Sequence, residues 1–304
     1  MVLNRIGLTG SSGLLGRHII FILLKKKYNV IATSRTRPPL KHKMLIFKKL
    51  NLNEKLKNSK LDRIFGKIST LIHAGAYVPN NPNNKKKMNR KLVLKCNSEA
   101  TGKLAKWAYN RKVKLIYVSG AIVYKNQNSK NLEHSKVIKH SEDIYCYSKA
   151  LSEKKLFFYK KKGLKLTIFR PSSIYGWGLN KSKIICKFLS FSKKNKIIKI
   201  YQPVNAKINL IHAYDVSSAI VQVIKKNFNG VLNIGYKTIS FFELAKLAKK
   251  IFNNKKRIEI LKKKKLFHPK RLDVGTSRIK KILNWKPKIS LEKGLNLVIK
   301  KKCI

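Results

Sequence analysis

The chain has 304 residues, 43% of them hydrophobic, and carries 71 Lys and Arg against 12 Asp and Glu, a formal charge of +59. The apolar share excludes a disordered chain, and the length admits one large α/β unit or two smaller ones. No apolar run approaches the ~20 residues of a membrane span, and the N-terminus enters a glycine-rich turn where a signal peptide would have an apolar core. Cys96, Cys146, Cys186 and Cys303 lack the spacing of a zinc site or a disulfide framework. The expectation is a cytoplasmic protein with no membrane segment and no metal.

Short β-branched runs at 5–8, 29–33, 44–47, 69–73, 113–118 and 165–169 read as strands, and amphipathic stretches near 14–27, 88–111 and 145–162 as helices. Strand–helix alternation at this spacing predicts parallel βαβ units in a doubly wound, Rossmann-type sheet. The tract NNPNNKKK (80–87) reads as a polar loop. After Arg170-Pro171 the rhythm changes to loops rich in Gly, Pro and Asn (171–182, 202–209) and helices near 183–194, 214–226, 240–252 and 290–301. The expected division is a dinucleotide-binding domain over 1–170, rejoined by 202–226, and a smaller α/β substrate-binding region over 171–304.

The stretch GLTGSSGLLGRH places Gly10, Gly13 and Gly16 between the first strand and the first helix. A pyrophosphate needs that arrangement, because it must approach bare backbone and helix N-terminal amides. At the end of the second strand, where an acidic residue would bind the ribose hydroxyls of NAD, the chain reads ATSRTR. Arg35 is suited to a 2′-phosphate, so the charge favours NADP over NAD there. Tyr145 and Lys149 stand at i, i+4 and share a helix face. An ammonium near a tyrosine, with a cationic nicotinamide, lowers the phenol pKa toward a useful range. So many lysines would place about two tyrosines in this register by chance, yet among the 12 tyrosines only Tyr145 has one. Lysines run along the whole chain and only 11 of the 71 basic residues are Arg, so the charge reads as a solvated surface capable of nonspecific polyanion binding.

Taken together these motifs resemble an extended short-chain dehydrogenase/reductase of the NAD-dependent epimerase/dehydratase, nucleotide-sugar type. LIHAGAYVP (71–79), Asn97, YVSGAIVY (117–124), YCYSKALSE (145–153), FRPSSIYGWG (169–178), LIHAYDVSSAI (210–220), GVLNIG (230–235) and SRIKKILNWKPKISLEKGL (277–295) match its segments in order over nearly the whole length. The resemblance implies cofactor contacts from Gly10, Ser12, Gly13, Leu14 and Gly16 in the opening loop, and from Arg35, Asn51 and Leu52 after the second and third strands. It implies further contacts from His73, Ala74, Ala76, Asn97 and Pro171, with Tyr145 and Lys149 serving both cofactor and chemistry. Tyr145 would exchange a proton with the sugar while the nicotinamide takes or gives hydride, and Lys149 would hold the nicotinamide ribose. A nucleotide-sugar substrate and a homodimer through 88–111 and 145–162 are also implied.

Two departures stand out. The family's catalytic hydroxyl lies three residues before the Val of its VYG, which is Gly120 here, so Ser119 is the candidate substitute. Residues 207–211 read KINLI, with Ile208 where many members have an arginine near the nucleotide phosphates and Lys207 beside it. The expected activity is an NAD(P)-dependent nucleotide-sugar epimerase, with a 4-ketoreductase or dehydratase, or a catalytically weakened binding protein, as alternatives. His73 is expected to be a strand-end residue held by hydrogen bonds and not a base.

Overall fold

The β-branched runs of the first half form β1 (Arg5–Thr9), β2 (Asn29–Ser34), β3 (Leu45–Lys49), β4 (Thr70–His73), β5 (Lys114–Val118) and β6 (Leu166–Pro171). Between them run α1 (Leu14–Lys25), α2 (Asn58–Phe65), α3 (Arg90–Leu94), α4 (Ala100–Asn110) and α5 (Ile144–Lys161). The second half adds β7 (Ser173–Tyr175), α6 (Ile184–Lys193), β8 (Ile198–Tyr201), β9 (Lys207–His212), α7 (Ala213–Ile224), β10 (Gly230–Ile234) and β11 (Lys237–Ser240). It ends with α8 (Phe241–Phe252), β12 (Ile258–Leu261), α9 (Ser277–Leu283) and α10 (Leu291–Lys300). This computed structural model describes residues 4–79, 89–262 and 271–300; the tract 80–87 and Cys303 lie outside the described residues.

Seven strands form one parallel sheet in the order β10-β6-β5-β4-β1-β2-β3. Its central strands are buried along almost their whole length because helices cover both faces. Ile6, Leu8, Ile116 and Phe169 pack toward α1, α7 and α9, while Leu71, Leu115, Tyr117 and Ile168 pack toward α2, α4 and α5. The chain proceeds from β1 outward through β2 and β3, then returns to β4 on the other side. That reversal opens a crevice at the carboxyl ends of β1 and β4, where doubly wound sheets bind ligands.

A three-stranded sheet, β11-β9-β7, and a two-stranded pair, β12-β8, pack with α6, α8 and α10 around Tyr175, Phe188, Leu244 and Leu295. β10 and α9 join the main sheet and its core, although both lie within 171–304. Within 202–226, α7 packs on the α1 side of the main sheet, whereas β9 pairs with β7 and β11. α2 carried no clear signal in the sequence; its Leu61, Ile64 and Phe65 form one buried stripe on a short helix otherwise rich in polar residues.

Most of the acidic residues hold structural posts. Asp143 caps α5, Glu243 completes a capping box at α8, and Asp62 binds Arg111 and Trp107. Asp215 accepts the backbone amides of Lys288 and Ile289, and Glu153 pairs with Arg170 in the interior. Acids are thus retained where helix termini and buried donors require them, and the scattered lysines cover the rest of the surface.

His212 caps α7 by accepting the Tyr214 amide at Nδ1 (3.1 Å), which leaves its proton on Nε2. That nitrogen is buried with no partner among the described residues, and the ring meets His18 with centroids 5.5 Å apart. Burial, reinforced by His18, lowers the His212 pKa from 6.5 to about 4. The unfolded chain therefore takes up a proton that the folded one refuses, and stability is lost as pH falls from about 6.5 to 4. Melting temperature measured across that window is expected to drop. His212→Asn, which keeps a capping oxygen, is expected to flatten the drop; an equally steep acid limb in the variant would refute this account.

Candidate active site

The glycine turn is shaped by contacts that exclude side chains. Gly10 has φ +75°, and a Cβ there would lie 2.6 Å from the backbone of Gly75. A Cβ on Gly16 would lie 2.1 Å from the Gly10 carbonyl, so the first turn of α1 lies directly against the loop after β1. Gly13 caps α1 without any side-chain hydrogen bond, and the first helical turn contains no acid. This helix N-terminus borders a cavity of about 300 Å³ lined by Gly10, Ser12, Gly13, Arg35, Asn51 and Leu52, with Ala74 and Ala76 across it. Uncapped amides, a bare glycine floor and the positive end of the helix dipole fit the pyrophosphate of a dinucleotide.

At the far end of this cavity Ser34 Oγ bonds Ser11 Oγ (2.7 Å) and donates to the Thr36 carbonyl (2.6 Å), next to the exposed Arg35. No carboxylate lines the cavity among its described residues. Thr9, Thr33, Asn53, Gly75, Tyr77, Leu92 and Cys96 also line it, none of which was expected as a cofactor contact. Gly75 could have been found: a glycine within HAGA, after a strand, is a common sign of close backbone approach.

Leu14 begins α1 and packs partly into the core. Pro171 ends β6, paired with Ile234. Asn97 lies in a π-helical turn, Lys95–Glu99, that interrupts the helical run expected over 88–111. Its amide is fully engaged: Oδ1 accepts Tyr77 N (2.7 Å), and Nδ2 donates to Tyr77 O (3.0 Å) and Ser148 Oγ (3.0 Å). It clamps the loop after β4 against α5. His73 is fully buried, with Nδ1 at 2.6 Å from Thr9 Oγ1 and Nε2 at 2.9 Å from Thr101 Oγ1.

Tyr145 and Lys149 project from one face of α5. Lys149 is buried, and burial lowers its pKa to about 8. Its ammonium donates to the Tyr117 hydroxyl (3.2 Å) and the Val118 carbonyl (2.8 Å), not to Tyr145. Tyr145 is half-buried, and desolvation raises its pKa above the ordinary value, with Cys146 and Asp143 adding to the shift. The phenol is therefore a proton donor in this state. Tyr147 turns aside and packs on His140 with ring centroids 5.3 Å apart.

Ser119 Oγ is buried and has no partner among the described residues. By strand alternation Ser119 follows Leu115 and Tyr117 onto the α5 side of the sheet. Gly120 is extended (φ 177°), and a Cβ on it would find only ordinary contacts, the nearest Ile122 Cγ2 at 3.5 Å. The backbone does not require glycine there.

Lys207 is exposed at the start of β9. Arg271, which no motif marked, bonds through its own carbonyl to Asn209 N of β9 (2.8 Å) and pairs Nη2 with Asp273 (2.7 Å). Its Nε is buried without a partner among the described residues, leaving a charged donor unclaimed.

Three comparisons bear on this arrangement. The NAD dependent epimerase/dehydratase family matches residues 6–235. A dTDP-D-glucose 4,6-dehydratase of Dictyostelium discoideum is 30% identical over 280 residues, covering 83% of this chain and 62% of its own length, so the chain spans less than two thirds of that relative. UDP-glucose 4-epimerase of Thermotoga maritima, solved with UDP-glucose, superposes with a TM-score of 0.85 at 22% identity, over 98% of both chains. UDP-glucuronic acid 4-epimerase of Bacillus cereus, solved with UDP-glucuronic acid and NAD, superposes with a TM-score of 0.84 at 21% identity, again over 98% of both. Among the described residues no helix is long and apolar enough to cross a membrane. The glycine turn, the Tyr145–Lys149 helix and the family match over most of the chain agree: this protein belongs to the NAD-dependent epimerase/dehydratase family of enzymes.

Proposed function

We propose that the chain is an NAD(P)-dependent nucleotide-sugar epimerase that transfers hydride transiently at a sugar carbon, with Tyr145 and Lys149 managing the proton. The observation that carries this reading is the pairing of a buried ammonium and a half-buried phenol on one face of α5, at the carboxyl edge of a sheet with a glycine-floored cavity. A bound nicotinamide supplies hydride exchange and, when oxidised, a positive charge. Tyr145 gives or takes the proton of the reacting sugar hydroxyl, and Ser119 orients that oxygen in place of the hydroxyl missing at Gly120. Lys149 has used two of its three N–H bonds on protein acceptors, which leaves the third for a ribose hydroxyl. Arg271, with its unclaimed Nε, is the candidate for the substrate's diphosphate.

A 4-ketoreductase using NADPH is the second reading, favoured by Arg35 in a cavity without a carboxylate. A dehydratase has less support, because the 3₁₀ turn Ala121–Val123 carries only apolar side chains. Thermal-shift titration with NAD, NADP, UDP-sugars and dTDP-sugars tests the assignment, since ligands of the native state raise melting temperature. Arg35→Ser is expected to weaken NADP binding about 10- to 100-fold and to leave NAD within about twofold; equal losses for both would remove the NADP preference. An epimerase retains cofactor through gel filtration, whereas complete loss favours the reductase.

A homodimer through the outer faces of α4 and α5 is part of the proposal. Phe158 is 53% and Tyr109 37% exposed there, with Tyr159 between them at 5.2 Å and 6.0 Å ring-centroid separations. Aromatic exposure of this kind marks an association surface.

A further inference from the structure

Behind the reactive pair, a chain of buried hydrogen bonds runs from the lysine to the glycine turn. Lys149 Nζ donates to Tyr117 OH (3.2 Å), and the Tyr117 hydroxyl meets Ser152 and Thr101. Thr101 Oγ1 donates to the Asn97 carbonyl and lies 2.9 Å from His73 Nε2. His73 Nδ1 lies 2.6 Å from Thr9 Oγ1, which in turn accepts the Gly75 amide at 3.2 Å.

The direction of each bond follows from its neighbours. Thr101 spends its single proton on Asn97 O, so its oxygen must accept, and His73 must carry its proton on Nε2. Nδ1 then holds a lone pair and takes the Thr9 proton, while the Thr9 oxygen takes the Gly75 N–H. Ser152 has the Ser148 and Asn97 carbonyls for its own proton (2.7 and 3.1 Å), so its oxygen and that of Thr101 are both acceptors for the Tyr117 proton, which leaves the Tyr117 oxygen for Lys149. Every proton has a place, and a network satisfied throughout is rigid. Burial, with Lys149 nearby, lowers the His73 pKa to about 3, so this sense persists at neutral pH.

We propose that Tyr117 is a positioning residue for Lys149, and that His73 is the hub tying that lysine to the Gly75 amide, so that the reactive end and the glycine turn are held in one frame. The link to the turn is direct, because a Cβ on Gly10 would lie 2.6 Å from Gly75. Only the catalytic importance of Lys149 rests on the dehydrogenase-type reading; the network itself does not. The titratable groups around Lys149 are Glu153 and Tyr145 on its own helix, His73 on β4 and Tyr117 on β5.

Tyr117→Phe tests the first half. It keeps the ring, over which the Lys149 ammonium sits 4.7 Å from the centroid, and deletes only the oxygen. Losing an acceptor disfavours the charged amine. The Lys149 titration midpoint, read by carbon NMR of labelled lysine in the cofactor-free protein, is expected to fall by about one unit, and the alkaline loss of turnover to begin at correspondingly lower pH. A lowered melting temperature with an unmoved midpoint would mean packing alone and overturn the proposal. For the hub, Thr101→Val and His73→Leu are expected to weaken NADH binding about tenfold. Unchanged NADH affinity in the folded Thr101→Val variant would overturn the hub, and so serves even where His73→Leu does not fold. A shifted midpoint in a protein that turns over no nucleotide sugar would leave the network standing and refute the enzymatic reading instead.

Discussion

Tyr145→Phe is expected to reduce nucleotide-sugar turnover by about 10²- to 10⁴-fold, the usual contribution of a positioned acid–base group. Melting temperature should change little, because among the described residues no hydrogen bond to the fold is made by the Tyr145 hydroxyl and the ring is only half-buried. The same assay decides the role of the residues before it. Ser119→Ala is expected to cost about 10- to 100-fold, since it removes the buried hydroxyl without a protein partner. Gly120→Ser, added to that variant, is expected to recover part of the loss. There is room for it, with extended backbone and a nearest Cβ contact of 3.5 Å. Full turnover in Tyr145→Phe would refute Tyr145 as the proton-transfer group, whereas a biological role left intact by the substitution in a protein without turnover would favour the binding-protein reading.

Arg170→Leu is expected to be the most destabilising single change. Arg170 and Glu153 are 3% and 2% exposed, joined by Nε–Oε1 (3.0 Å) and Nη2–Oε2 (2.5 Å) bonds. The same guanidinium donates through Nη1 to Tyr124 OH and Glu133 O (both 3.1 Å) and so joins β6, α5 and two loops. Glu153 raises the Arg170 pKa further, although burial opposes it. Removing the arginine strands a buried carboxylate, a loss of about 3–5 kcal/mol. In a chain of this size that lowers the melting temperature by roughly 5–8 °C. Removing both partners, as Arg170→Leu with Glu153→Leu, is expected to cost much less, because no charge is left unpaired. Differential scanning calorimetry of the two single variants and the double variant closes the cycle; additive losses would show that the pair is not coupled. Since Glu153 lies one turn beyond Lys149 on α5, the single variants should also lose turnover beyond what their stability explains.

Much of this architecture was legible before folding. Alternating β-branched and amphipathic runs placed six strands and, α2 apart, the helices between them, since period and residue type are local properties of the chain. Gly10, Gly13 and Gly16 were legible because a turn under a phosphate excludes side chains whatever surrounds it. The Tyr145–Lys149 register was legible because helical spacing alone puts both on one face. The twelve acids were visible as a shortage but not as a pattern; only the fold shows that most of them cap helices or pair with buried donors.

Tertiary structure decided what the motifs could not. The helical pattern over 88–111 gave no sign of the π turn that aims Asn97 at Tyr77 and Ser148, since the partner backbone arrives from a distant loop. Arg271 follows no recognisable spacing and acquires meaning only beside β9. Tyr117 reads as one more apolar strand residue until its hydroxyl is found against Lys149, 32 positions away in the chain. Sequence thus determined the family, the glycine turn and the reactive pair, all of which depend on residues close together along the chain. The third dimension decided where the lysine's charge is held, because hydrogen bonds between distant segments exist only once burial has removed water as the competing partner.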